Sequence, residues 1–228
     1  MTNEPLADVR DMYLAHTMFR RELGLAPALI RGVADGDVER AAVVAEHVRL
    51  VDTVLHHHHE AEDEHLWHRL LDRAGAEAEP VVKVMEEQHG AIDELLGEVR
   101  DGLTPWRESA DPVRGEALAG AVTLLHERLV EHLAVEEEKA LPLIERHITA
   151  AEWGRMIAAG AADVDPARMP LMFGLMAYEG DPGTVRDIIA SMPPEVRAVI
   201  GDLAAQAFAA HAERVHGTAT PARIGVRR

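Results

Sequence analysis

The chain has 228 residues, enough for a large core, and is rich in Ala, Leu, Val and Glu but holds only three Trp, two Tyr and three Phe, a usage that favours helix over sheet. A formal charge of −17 leaves no basic face for nucleic acid or anionic lipid, and the lack of cysteine excludes disulfides, iron–sulfur clusters and thiolate zinc sites together. Any metal must therefore be held by histidine and carboxylate.

The first helical segment spans about residues 5–30, with Val9, Met12, His16, Phe19 and Leu23 on one line and a bend expected near Gly24 and Pro27. The second spans about residues 37–73, carries Val44, Val51, Val54 and Leu55 into the run HHHHEAEDEHLW, and ends at Gly75. The third spans about residues 80–101 with Val82, Met85, His89, Ile92, Leu96 and Val99 inward, and the stretch DGLTPWRESADP reads as the loop that closes it. The fourth spans about residues 113–147 with Leu125, Leu129, His132, Glu136, Ala140 and Leu143 on its line. Long amphipathic segments with short polar joints describe an all-α protein, an antiparallel four-helix bundle over residues 1–148. Residues 149–228 read as a C-terminal helical extension of unknown role. It opens on the capping box Thr149-Ala-Ala-Glu152, continues through helices near residues 182–190 and 194–215, and is a candidate homodimer contact. Its methionines read as core filler.

Each bundle segment places an ionisable residue on its inner line. His16 and His89 stand alone, while His58 with Glu62 and His132 with Glu136 are i,i+4 pairs, about one turn apart on one face. A buried carboxylate needs a cation, and no Lys or Arg is suitably placed, so two facing pairs point to bound metal. The register of the histidine run has alternatives, His56 with Glu60 and His59 with Asp63. The apolar neighbours of His58 favour His58 and Glu62 inward, with His59 and His65 near the boundary. Glu137 and Glu138 read as a solvated face, and His47, His126, His147, His211 and His216 as ordinary histidines.

The segments HHHHEAEDEHLW and HLAVEEEKALPLIE, with AHTMFRREL and EEQHGAID, resemble the signature segments of the hemerythrin-like family, or HHE cation-binding domain, over about residues 5–147. The resemblance implies a non-heme di-iron centre, two Fe ions with an oxo or hydroxo bridge, held by His16, His58, Glu62, His89, His132 and Glu136. It implies a small ligand (O₂, H₂O₂ or NO), with carriage, catalase- or peroxidase-like turnover and NO chemistry as the candidate activities. Iron storage, iron or oxygen sensing, and a structural metal, zinc included, are the alternatives. This chain departs from the oxygen carriers in placing Met85 where they have a second histidine one turn before His89, so a water or a neighbour such as Tyr13 or His59 is expected to fill that position. It also has Leu66-Trp67-His68 where the family often has a proline, so the second helix is expected to run on. The N-terminus lacks a leader-like pattern and no apolar run reaches 18 residues, which reads as a cytoplasmic protein without membrane contact.

Overall fold

The computed structural model describes residues 4–162 and 164–224. Its bundle is built from α1 (Arg10–Arg31), α2 (Val38–His65), the short α3 (Trp67–Ala74), α4 (Glu79–Ser109), α5 (Pro112–Val135) and α6 (Leu141–His147). The long helices pack in a ring, α1 on α2, α2 on α4, α4 on α5 and α5 back on α1. The expected all-α architecture is what the chain adopts, and no strand occurs among the described residues beyond an isolated bridge of Leu6 to Thr149.

Helix ends follow local chemistry. Asp37 and Asp111 accept backbone N–H groups three residues on, from Arg40 at 3.0 Å and Arg114 at 2.8 Å, and so start α2 and α5. Gly75, at φ 49°, ends α3 as its position predicts. Residues 5–9 are not helical as expected; they run beside the start of the extension, with Ala7 donating to Ile148 O at 2.9 Å and Ala150 to Pro5 O at 2.8 Å. A second correction concerns DGLTPWRESADP, which is no loop: α4 continues through it to Ser109 with Pro105 inside. Burying Leu103 and Trp106 is worth a few kcal/mol, enough to offset the roughly 3 kcal/mol that an interior proline costs. Leu66 interrupts the expected continuation of α2 for one residue, at φ −110°, before α3 resumes.

The extension comprises α7 (Ala150–Gly160), α8 (Met169–Ala177), α9 (Pro182–Ser191), α10 (Pro194–Arg197) and α11 (Ile200–His216). The Thr149–Glu152 capping box starts α7 as expected. α8 shows no clear helical period in sequence because Met172, Phe173, Gly174 and Leu175 are all buried; it packs on α1 and α11. Gly174 permits that approach, since a Cβ there would lie 2.4 Å from Ala204 O. Met172, Leu175, Phe208 and Ala212 thus complete the same core as Phe19, Val48 and Leu125.

Apolar side chains form two main layers with a polar layer between them. One holds Phe19, Leu55, Ile92 and Leu129; the other holds Met12, Trp67, Met85, Ile144 and Trp153. At their junction with α7, Trp153 Nε1 donates to both oxygens of the largely buried Asp11 at 3.2 Å, and burial pushes the Asp11 carboxyl up to about 6. Its folded pKa exceeds the unfolded one, so Asp11 weakens the fold as pH rises through about 4 to 6. Asp11→Asn, which keeps an acceptor for the indole, is expected to stabilise the protein at pH 7.5 by on the order of 2 kcal/mol and to remove that slope. Thermal melts at pH 4.5 and 7.5 check this; equal melting of both forms at pH 7.5 contradicts it.

Candidate metal centre

Between the two apolar layers, α1 contributes His16, α2 contributes His58, His59 and Glu62, α4 contributes His89 and α5 contributes His132, with Glu136 directly after it. His16, Glu62, His132 and Glu136 are fully buried, and His59 and His89 are nearly so. Their donor atoms converge as two triads, His16/His58/Glu136 and His59/His89/His132, each with its atoms within 4.8 Å of one another.

The carboxylates link these triads. Glu62 places Oε1 3.4 Å from His58 Nε2 and Oε2 3.5 Å from His89 Nε2. Glu136 Oε2 lies 3.2 Å from His16 Nε2 and 3.7 Å from His132 Nε2. Each glutamate therefore touches one imidazole of either triad. A cation about 2.0–2.2 Å from N and O donors sets those donors roughly 3.3–3.5 Å apart, the spacing seen here. The Nε2 atoms of the five histidines and all four oxygens of Glu62 and Glu136 are buried without a hydrogen bond. Native interiors leave only a few such atoms per hundred residues, so a layer holding nine together fits a bound cation.

The opposite ring nitrogens of His16, His89 and His132 are occupied. His16 Nδ1 donates to Glu137 Oε1 at 2.9 Å, and Arg20 holds that oxygen at 2.7 Å. His89 Nδ1 donates to Asp63 Oδ1 at 2.7 Å, and Trp67 Nε1 donates to the same oxygen at 2.8 Å. His132 Nδ1 donates to Gln88 Oε1 at 3.1 Å. An acceptor at Nδ1 keeps the proton there and aims the Nε2 lone pair into the cluster. Asp63→Ala is expected to free the His89 ring and weaken metal binding about 10- to 100-fold, measured by competition with a chelator; unchanged affinity would remove Asp63 from the centre's support.

Between Val135 and Leu141 the helix widens to a π turn, Glu136–Ala140, followed by Pro142, which has no N–H to continue an α-helical ladder. The wide turn brings two successive glutamates to opposite nitrogens of one ring, Glu136 to His16 Nε2 and Glu137 to His16 Nδ1. Glu137 is thus half-buried and engaged, not part of the solvated face expected for it; Glu138 is exposed as expected.

The histidine run resolves differently from a choice between registers. His58 and His59 both face the interior, one on each side of Glu62, with the His59 ring stacked on His89 at 4.1 Å and edge-on to His132 at 5.0 Å. Met85 is buried among apolar side chains, and His59 of α2 brings an imidazole to the triad from which α4 lacks a second one. Tyr13 is 39% exposed, and His65 is half-buried with its Nε2 3.9 Å from Glu64. Asp63 was legible as a residue behind the ligands or in solvent, whereas Gln88 was missed and Glu137 underrated in sequence because an orienting residue carries no periodic signal of its own.

Electrostatics split the glutamates. Burial, then the Glu136 charge and Asp63, hold the Glu62 carboxyl well above its usual range. Burial works against Glu136 too, but His16, His132 and His58 outweigh it and hold that carboxyl far down. Burial and neighbouring imidazoles push His58 to about 3, and burial takes His132 to about 3 against the pull of Glu136. Burial opposes charge on His16 as well, yet Glu136 and Glu137 raise it above the ordinary value.

Residues 7–144, more than half of the chain, match the family model of the hemerythrin HHE cation-binding domain. The chain belongs to the hemerythrin family. No curated protein and no solved structure matches it. The family's metal-binding helical bundle fits the His/Glu clusters of the polar layer, and the extension lies beyond the matched residues.

A cleft of about 420 Å³ between α2 and α4 reaches His59 and His89, with Glu60, Glu64, Glu86 and Asp93 on its walls. Its acidic mouth favours cations and uncharged molecules over anions. No helix among the described residues is long and apolar enough to cross a membrane.

Proposed function

We propose that the bundle of residues 1–148 holds two irons between its apolar layers and uses them to bind or react with a small uncharged oxidant, O₂, H₂O₂ or NO. The observation that carries this reading is that Glu62 and Glu136 each touch imidazoles of both triads, as a pair of carboxylates bridging two cations must. His16 and His58 would hold one ion and His59, His89 and His132 the other, with Glu62 and Glu136 shared. The set extends the six ligands that the family resemblance implies by His59.

When bound, a pair of irons supplies two electrons and an exchangeable coordination position for the oxidant. The chain's own part is to keep the site dry and oriented. Trp67, Met85 and Met12 lie on one side and Phe19, Leu55 and Ile92 on the other, and the acidic cleft reaches His59 and His89 from solvent. Glu137, Asp63 and Gln88 fix the rings and hold protons at Nδ1. Cytoplasmic residence suits this chemistry.

The test is anaerobic loading with Fe(II), elemental counting, and then exposure to O₂, H₂O₂ and NO. Two irons per chain, with oxidant consumed well above the same amount of free iron, support the proposal. Two irons that bind no oxidant turn it into storage or sensing, and zinc or no metal after growth in iron-replete medium makes the centre structural.

A further inference from the structure

The fold gathers a second set of ligand-type side chains that the hemerythrin match leaves unused. Glu22 lies six residues beyond His16 on α1 and His47 eleven residues before His58 on α2, about 9 Å and about 16 Å along their helices from the first cluster. His216, at the last position of α11, completes the group. Glu22 Oε2 is 3.2 Å from His47 Nε2 and 3.7 Å from His216 Nε2, and the three donor atoms lie within 4.8 Å of one another. These separations again bracket the donor spacing around a tetrahedral cation of N and O ligands.

Burial makes the cluster more than an ion pair. Glu22 and His47 are each 1% exposed, and Glu22 Oε2 and His47 Nε2 make no hydrogen bond, although their other polar atoms are engaged. Arg21 Nε donates to Glu22 Oε1 at 2.7 Å, and the same guanidinium donates to Leu175 O at 2.7 Å. His47 Nδ1 lies 3.1 Å from Nε2 of the buried His211, so Nδ1–H can donate there and leave the Nε2 lone pair facing Glu22. Each inner ligand thus has one atom fixed from behind and one aimed at a common point, as at built metal sites. A cleft of about 150 Å³ beside Glu46, Leu171 and Arg214 reaches His211, the ring that stands behind His47.

We infer that Glu22, His47 and His216 form a second, mononuclear site for a borderline divalent cation of the zinc type. Two imidazoles and one carboxylate suit Zn²⁺, which takes such a set with a fourth position left to solvent. The ion ties α11 to α1 and α2, adding to the hold that Arg40 already has on the carbonyls of Arg214 and Val215. The inference does not depend on the identity or reactivity of the metals in the first centre.

The test is zinc titration of the chelator-stripped full chain, followed calorimetrically and by elemental counting. Three zinc ions per chain are expected for the parent and two for His216→Gln, which replaces the ligand on the last helix. In a Glu62→Gln background, which disables the first centre, one His216-dependent zinc is expected to persist. Zinc is also expected to slow proteolysis within α11 in the parent but not in His216→Gln. A zinc count and a proteolysis rate that His216→Gln leaves unchanged overturn the second site while leaving the first centre as it stands. A count that falls only with Glu62→Gln does the same.

Discussion

Glu62→Gln is expected to empty the bundle of at least one and at most both of its metals while making the metal-free protein harder to melt. The two effects have opposite signs because one carboxyl serves two states. With cations present, both oxygens of Glu62 face imidazoles of separate triads, and an amide cannot supply the charge or the bridge. Without cations, the same carboxyl is fully buried beside charged Glu136, and its pKa stands well above the usual range. A group whose folded pKa is raised costs stability above its unfolded pKa, so at pH 7.5 the neutral isostere removes a penalty on the order of 1–3 kcal/mol. Elemental counting and melts in EDTA, run on both proteins, check the two arms. A metal-free variant that melts below the metal-free parent sinks the electrostatic argument, and an unchanged metal count sinks the ligand assignment.

Stripping the metals is expected to lower the melting temperature of the parent by about 10 °C or more, the largest shift any single treatment should produce. The metal-free layer leaves buried Nε2 and carboxylate atoms without partners, and a ligand bound only by the folded state adds about 2.7 kcal/mol at a hundred times its Kd. In a chain of this size each kcal/mol moves the midpoint by about 2–4 °C, and the two proposed ions would act together. Metal uptake should also depend on pH in a set direction. His58 and His132 are neutral down to about 3, so they compete with no proton near neutrality. His16 is held above its ordinary value by Glu136 and Glu137 and must lose its proton to the incoming cation. Affinity should therefore rise with pH as the cation displaces the proton on His16 and the one on Glu62, whose carboxyl is also held above its usual range. A flat dependence from pH 5.5 to 7 would mean that no imidazolium is displaced.

Much of the site could be read from helical spacing, and the part that could not has a physical cause. The i,i+4 pairs His58/Glu62 and His132/Glu136 and the lone His16 and His89 lie on apolar lines because a bundle buries one face of each helix, and period 3.6 records which face. Period alone does not resolve angle within that face. His58 and His59 are only about 100° apart on α2, the width of the buried stripe, so both enter it and a choice between registers had no need to be made. Glu137 was placed on the solvated face because the π turn that swings it to His16 is set by Pro142 and packing, not by spacing. Likewise α4 overran its expected end because Leu103 and Trp106 found a core to enter.

By itself, then, the sequence determined the helical architecture, the polar layer within it and the donor types available, since these follow from residue pattern along single helices. Only the tertiary structure decided that the donors form two triads linked by two glutamates, that His59 stacks on His89, and that Asp63, Gln88 and Glu137 stand behind the rings. It alone joined Glu22 and His47 to His211 and His216 of the last helix. Contacts between residues so far apart in the chain depend on how helices rotate and cross, which is settled by the mutual packing of all of them and leaves no periodic trace in any one.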